Sequence, residues 1–293
     1  MRITLTGATG FVGAALAPKL QRAGHSTFLL TRNPAGRENA AAWDPAAGPP
    51  ARTGAPEAVI HLAGEPVAQR WSAEVKRRIR DSRILGTRHL VQALAQLPEK
   101  PRVLVSASAI GYYGDRGDVV LTEESEPGTG FLPETCVEWE REARAAEAAG
   151  IRVVLLRIGI VLGRGGGALA RMTPPFKLGA GGPLGDGRQW MSWIHLDDVT
   201  GLIEWALREE HVRGPVNATA PEAARNRDFT RALGAALHRP AVIPVPAFGL
   251  KLMFGEMARV LLESQRVEPR AALQAGYRFR YPELAPALRD LLA

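Results

Sequence analysis

Apolar and polar positions alternate along the chain in a way that changes period every ten to twenty residues. Ile3-Thr4-Leu5-Thr6 alternates β-branched and apolar residues and predicts a strand almost at the start. Gly7, Gly10 and Gly13 follow at three-residue spacing, and Ala14, Ala15, Leu16, Ala17, Lys19 and Leu20 behind them predict a helix. Residues 27–31 read as a buried strand, and residues 58–63 as another short apolar run that ends at Gly64. The spacing of Ile79, Leu85, Leu90, Val91 and Leu94 predicts a long helix over 73–97. Residues 102–108 predict a strand leading to Gly111, and 135–150 a charged amphipathic helix stopped by Gly150. Residues 151–160 form a dense β-branched run. Continuous apolar strands separated by helices imply a parallel sheet covered on both faces. The expected fold class is therefore α/β: a doubly wound parallel sheet of the Rossmann type. Its ligand belongs beyond the carboxyl ends of the strands.

From Gly163 onward the periodicity loosens. Gly165-Gly166-Gly167 and the stretch 179–187 read as loops, with Pro174, Pro175 and Pro183 among them. This predicts a dinucleotide-binding domain over 1–162 and a smaller, fused C-terminal substrate lobe over 163–293, with about 194–220 returning to the first domain. No clean linker separates the two, and there are no repeats. The Ala/Pro-rich stretch 40–56 reads as a variable surface connection.

Composition changes this picture little. With 293 residues, 46% hydrophobic and 23% charged, the chain has the make-up of a soluble globular protein. No apolar run reaches the roughly 18 residues of a membrane span, and Met-Arg-Ile-Thr lacks the apolar core of a signal peptide. The single cysteine, Cys136, excludes an internal disulfide framework and fits a reducing compartment, so the expected location is cytoplasmic. The formal charge of +7 raises the question of nucleic acid. Its arginines are interleaved with acids, however, and the densest run, Lys76-Arg77-Arg78-Ile79-Arg80, lies beside Glu74 and Asp81. No RNA-binding signature or zinc-ligand spacing appears. The expected partner is a small-molecule substrate, with neither nucleic acid nor a membrane, no metal, and a homodimer left open.

The glycines carry the first specific chemistry. A strand, a tight turn and a helix let a pyrophosphate approach bare backbone, and the helix N-terminus presents free N–H donors to it. Where NAD-selective folds close the second strand with a carboxylate, this chain has Thr31-Arg32-Asn33-Pro34. Arg32 can pair with a 2′-phosphate as a bidentate fork, with Thr31 and Arg37 assisting, so NADP is expected ahead of NAD.

Four segments in family order resemble the extended short-chain dehydrogenase/reductase superfamily, in its nucleotide-sugar-epimerase-like part. They are Thr6-Gly7-Ala8-Thr9-Gly10-Phe11-Val12-Gly13, His61-Leu62-Ala63-Gly64, Ser106-Ala107-Ser108 leading to Tyr113-Gly114, and Gly185-Asp186-Gly187-Arg188-Gln189 followed by Trp193-Ile194-His195-Leu196-Asp197-Asp198. Gly64-Glu65-Pro66, Arg70-Trp71, Ser82-Arg83, the run 157–167 and the tail 240–293 are similar to an atypical branch of undetermined function, sometimes labelled as a cell-division inhibitor, with its own C-terminal domain of unknown function. The resemblance implies NADP held by the turn from Gly7 to Gly13 (with Thr9, Phe11 and Val12), by Thr31 and Arg32, by Leu62, Ala63 and Gly64, and by Arg83, Ser106 and Val161. It implies hydride transfer on a small polar substrate, a sugar nucleotide or a carbonyl compound.

One departure stands out. The superfamily's Tyr-x-x-x-Lys, whose phenol moves a proton on the substrate oxygen, is absent from the chain. Alignment on Trp139-Glu140 puts Leu132 and Cys136 in its place. Ser106 and Ser108, at the strand end, and Tyr112, Tyr113 and Glu65 are the candidate replacements. Each has a structural alternative: the serines as turn caps, the tyrosines as packing residues, Glu65 as surface. An inactive, NADP-binding redox sensor therefore stands beside the enzyme. Cys136 reads as a small core residue and His195 as a packing residue. Trp190 and Trp193 line a pocket or fill the core, and the stripe Leu250, Met253, Phe254, Met257 and Leu261 is a core or subunit-contact helix.

Overall fold

A computed structural model describes residues 1–34 and 36–293. In chain order the elements are β1 (Arg2–Thr6), α1 (Phe11–Arg22), β2 (Ser26–Thr31), β3 (Ala40–Ala42), β4 (Ala58–His61), α2 (Ala73–Ala95) and β5 (Val103–Ala109). Next come β6 (Val120–Leu121), α3 (Phe131–Arg144), β7 (Arg152–Ile158), β8 (Ile160–Gly163), α4 (Gly167–Lys177), β9 (Trp190–Met191) and β10 (Trp193–His195). The chain closes with α5 (Leu196–Arg208), β11 (Gly214–Ala218), β12 (Ala224–Arg225), α6 (Asn226–Ala236), α7 (Ala247–Phe254), α8 (Ala258–Leu262), β13 (Arg266–Val267), α9 (Arg270–Gln274) and α10 (Leu284–Leu292).

The central sheet has seven parallel strands in the order β11-β7-β5-β4-β1-β2-β3. Successive side chains of a strand point to opposite faces, and both faces here are apolar. Val105, Val154 and Leu156 pack with Leu16 and Leu20 of α1 and Ile203 and Trp205 of α5. Their neighbours Leu104, Val153 and Leu155 pack on the other face with Leu90 and Leu94 of α2 and Ala143 of α3. A third core, with Phe176, Trp193, Phe229, Leu233, Leu288 and Leu291, sits in the C-terminal lobe.

Several expectations need correcting. The stretch 40–56 is more than a connection: β3 extends the sheet beside β2, and Trp43 is buried, its indole N–H donating to Gly48 at 2.8 Å. The helix expected from residue 135 starts at Phe131, because Pro133 falls in the first turn, where a missing N–H costs nothing. Its last turn tightens into a 3₁₀ segment before Gly150. Residues 167–177 form α4 in spite of Pro174 and Pro175, anchored by buried Leu169 and Phe176. The run 151–160 splits at Gly159, β7 staying in the main sheet while β8 pairs with β10. In the stripe after Leu250, Leu250 and Met257 are buried but Met253 faces outward with Phe248 and Leu252.

The segment around Asp197 is a docking strap. Asp198 accepts the N–H groups of Arg280 and Tyr281 at 2.7 and 2.9 Å, and Asp197 pairs with Lys19 of α1 at 2.6 Å. Burial raises the pKa of Asp198, partly offset by those donated bonds. His195 accepts the N–H of Asp197 and stacks on Tyr281 at 3.9 Å, the packing role expected of it.

Candidate functional site

The carboxyl edge of β1 ends in a cradle. Gly7 has φ +71°, and a Cβ there would lie 2.6 Å from the Leu62 carbonyl carbon. A Cβ on Gly13 would lie 2.2 Å from the Gly7 oxygen. No side chain can occupy either position without moving backbone, so the turn packs directly on the turn after β4 and on the first turn of α1. Gly10 caps α1, and the N–H groups of the first helical turn, from Phe11 onward, lack intrahelical acceptors. The Phe11 ring reaches across to Gly163, Gly166 and Gly167, so the second glycine run gives the first its outer wall.

The next wall is the turn after β4. Thr6 Oγ accepts the N–H groups of Leu62 and Ala63, each at 3.1 Å, and lies 2.8 Å from His61 Nδ1. With its acceptor positions used, the hydroxyl donates its own hydrogen to Nδ1. Nε2 then keeps its hydrogen and donates to Thr87 at 3.0 Å. Burial, reinforced by the charge of Arg83, lowers the His61 pKa to about 4. The ring is therefore neutral and serves as a strut. Arg83 of α2 donates to the carbonyls of Glu65 and Ile79 at 2.9 and 3.1 Å, against Gly64 and over the Trp139 ring. At the other end of the edge, Thr31 is half-buried and Arg32 and Arg37 are exposed. Val161 is half-buried on β8, with Gly167 against its carbonyl.

At β5 three of the candidates for acid–base work, Ser106, Ser108 and Tyr113, are already committed. Ser106 is fully buried and its hydroxyl bonds the Ala107 carbonyl. Ser108, 3% exposed, donates to Glu140 at 2.7 Å. Glu140 also takes both ends of the Arg157 guanidinium, at 2.8 and 2.9 Å. Arg157 donates to the Tyr113 hydroxyl at 3.0 Å, and that hydroxyl donates to Asn217 at 2.6 Å. Burial pushes the Tyr113 pKa up to about 12. Burial opposes the charge on Arg157, but bonds to Glu140 and the carboxylate's charge outweigh it and raise its pKa. Tyr112 lays its ring on the Arg157 guanidinium at 3.5 Å and packs beside Ile110, Tyr113, Leu121 and Val267.

The structure thus brings Ser108 and the two tyrosines together, but as members of a buried network, where the sequence reading put the serines facing the cofactor. Glu65 stands apart, bonded to Gln69 at 3.2 Å and 3.6 Å from Arg78. Glu140, Arg157 and Asn217 were missed. The available signal was Arg157, a charge inside an otherwise apolar strand run.

Leu132 and Cys136 lie one turn apart on α3 against the turn that follows β5. A Cβ on Gly111 would sit 3.5 Å from Leu132 Cβ and 3.9 Å from Cys136 Sγ. Burial, and then the charge of Glu140, pushes the Cys136 thiol up to about 12, so it is inert at neutral pH. Phe131 meets Trp71 edge-to-face at 5.1 Å. Trp193 fills the core, while Trp190 lines a recess of about 420 Å³ in the C-terminal lobe with Arg266 over its ring. In the basic run on α2, Lys76 pairs with Glu256, Arg78 with Glu74 and Arg80 with Glu138, while Arg77 is exposed. Among the described residues no group of three His, Cys, Asp or Glu side chains is placed to hold a metal, and no helix is long and apolar enough to cross a membrane.

Residues 3–218 match the model of the NAD dependent epimerase/dehydratase family, and residues 245–291 match a domain of unknown function, DUF1731. The chain is 43% identical over 305 residues to the chloroplastic epimerase family protein SDR39U1 homolog of Arabidopsis thaliana, covering 100% of this chain and 87% of that protein. It is 38% identical over 299 residues to the epimerase family protein YfhF of Bacillus subtilis, covering 100% and 98%. The crystal structure of human epimerase family protein SDR39U1 with NADPH superimposes with a TM-score of 0.90 at 36% identity, covering 100% of this chain and 99% of that one. The UDP-glucose 4-epimerase of Thermus thermophilus shares the fold, with a TM-score of 0.79 at 21% identity over 100% and 97%.

Proposed function

The chain belongs to the NAD dependent epimerase/dehydratase family, and from that premise we propose that it binds NADPH along the carboxyl edge of its sheet and transfers hydride to or from a small substrate. The observation that carries the reading is the turn at Gly7 and Gly13, which only bare backbone can form and which opens onto the N-terminus of α1, the place where a strand-turn-helix unit takes a diphosphate. The 36%-identical human protein was crystallised with NADPH, in line with it. Leu62, Ala63 and Gly64 would flank the dinucleotide, held by Thr6 and His61. Thr31 and Arg32 would take the 2′-phosphate, Arg83 would supply a fixed positive charge, and Thr9, Phe11, Val12 and Val161 would complete the walls. When bound, the reduced nicotinamide supplies hydride from its C4. The chain's own part is to orient, to exclude water and to polarise.

Titration of the purified protein with NADPH and NADH, by calorimetry or nucleotide fluorescence, tests the reading. NADPH is expected to bind, and Arg32→Glu to weaken it roughly tenfold to a hundredfold, the worth of a charge-assisted pair, while NADH changes little. Equal loss for both nucleotides would refute the 2′-phosphate contact. No binding by folded protein would refute the cofactor itself. Leu132 and Cys136 favour a second reading, an NADP-binding redox sensor without turnover. Tight NADPH binding with no consumption on a broad substrate panel would select it. Cytoplasmic residence and a possible homodimer complete the proposal.

A further inference from the structure

The nicotinamide end of the edge narrows the reaction. With the diphosphate at the β1 turn and the adenosine at β2, sheet order puts the nicotinamide over β4 and β5. The side chains facing that end are Leu132 and Cys136 of α3, above Gly111, with Trp71 and Phe131 edge-to-face beside them. Trp71, Phe131 and Leu132 are all partly exposed; the Trp71 indole N–H is taken by the Val67 carbonyl at 2.9 Å, so its free face is apolar, and Lys76 Nζ stands 5.1 Å from the centre of the Phe131 ring on one side. The hydroxyls of Ser106, Ser108 and Tyr113 are buried and bonded elsewhere, and Tyr112, the one candidate tyrosine left partly exposed, holds its ring flat on the Arg157 guanidinium at 3.5 Å. The Glu65 carboxylate is bonded to Gln69. Interconverting an isolated ketone and its alcohol gains about 10²–10⁴-fold from a placed acid or base. A conjugated ring needs none, because it spreads the added charge over its own atoms.

Resting on the NADPH reading, we infer that the substrate is a planar conjugated two-electron acceptor, a quinone or an isoalloxazine, stacked against Trp71 and Phe131 and reduced without a proton from the protein. One C–H bond of the reduced nicotinamide breaks, and its hydrogen bonds, with both electrons, to a quinone oxygen or to N5 of the isoalloxazine. The anion that results takes one proton from water, and the nicotinamide leaves oxidised. Leu132 and Cys136 keep water from the transfer, and the aromatic pair sets the plane of the ring.

The test uses menadione and FMN as acceptors, with UDP-glucose and an aliphatic ketone as comparisons. Three readouts run together: NADPH oxidation corrected for the uncatalysed rate, NADPH binding by nucleotide fluorescence, and quenching of protein tryptophan fluorescence by each acceptor in the presence of NADP⁺. Saturable oxidation and saturable quenching with menadione or FMN are expected, with kcat/KM flat between about pH 6 and 9 because no protein acid titrates in the step. Trp71→Ala is expected to raise KM up to about tenfold while kcat stays within about twofold. Protein that binds NADPH but shows neither quenching nor turnover with either acceptor overturns the inference and leaves the cofactor reading intact. So does ketone reduction or sugar-nucleotide epimerisation that is lost in Tyr112→Phe. Failure to bind NADPH overturns both and is seen in its own titration.

Discussion

Mild acid is expected to destabilise the fold through one residue, His61, which holds the turn after β4 as a neutral strut. Its ring is fully buried, with Nδ1 accepting from Thr6 and Nε2 facing Thr87. A proton on Nδ1 would oppose the hydrogen of the Thr6 hydroxyl, the same hydroxyl that accepts the Leu62 and Ala63 N–H groups. The folded pKa is about 4 against an ordinary 6.5. Between those values the unfolded chain binds the proton and the folded one does not, so stability rises with pH and is lost as pH falls below 6.5. From pH 7.5 to 5 the linkage amounts to about 2 kcal/mol, with most of the rest lost by pH 4. Glu57, Asp118, Glu142 and Asp197, whose pKa values are lowered, titrate later and add their losses further into acid. Urea denaturation at pH 5, 6 and 7.5 measures the effect in the native protein and in His61→Asn, whose amide oxygen can accept from Thr6 but cannot take up the proton. The variant is expected to be less stable at pH 7.5 and to lose about 2 kcal/mol less on going to pH 5. NADPH affinity of the folded protein should stay nearly constant down to pH 5, because a ring with a folded pKa of about 4 remains mostly neutral there. Equal pH slopes in the two proteins would show that the strut does not titrate as described.

Other outcomes follow from the same geometry. Gly13→Ala puts a Cβ 2.2 Å from the Gly7 oxygen, so NADPH affinity is expected to drop roughly tenfold or more, the scale of overpacking, in a protein whose circular dichroism is unchanged. Arg157→Met strands Glu140 without its cation and should cost about 3–5 kcal/mol in denaturant titration. Adding Glu140→Leu should recover much of that loss, and failure to do so would mean that the pair is not the source. Ellman's reagent at pH 8 should leave native Cys136 untouched and titrate one thiol after unfolding. Reaction in the native state would contradict its burial.

Local signals were the legible ones. The strand, glycine turn and helix at residues 2–22 are written within one short window, because a tight turn needs its glycines and an amphipathic helix its spacing. Arg32 could be placed at the end of β2 for the same reason. Misreadings fell where local chemistry pointed one way and packing the other. The start of α3 looked like loop because Gly130 and Pro133 flank it, and α4 was hidden by Pro174 and Pro175, though buried Leu169 and Phe176 hold it. The serines were recognisable as a strand end, but not the direction in which their hydroxyls point.

That direction is a matter of partners far away in the chain. Ser108 meets Glu140 across 32 positions, Tyr113 meets Asn217 across 104, and Thr6 meets His61 across 55. The residue pattern by itself determined an α/β chain with a parallel sheet, a glycine turn between its first strand and helix, an arginine at the end of the second strand and a missing Tyr-x-x-x-Lys, since each depends on spacing within one element or one turn. Only the tertiary structure decided that the Ser108 and Tyr113 hydroxyls are bound up in a buried network and that Leu132 and Cys136 pack against Gly111 beside them. Burial turns a polar side chain toward whatever partner the fold supplies, and that partner is not encoded in its neighbours.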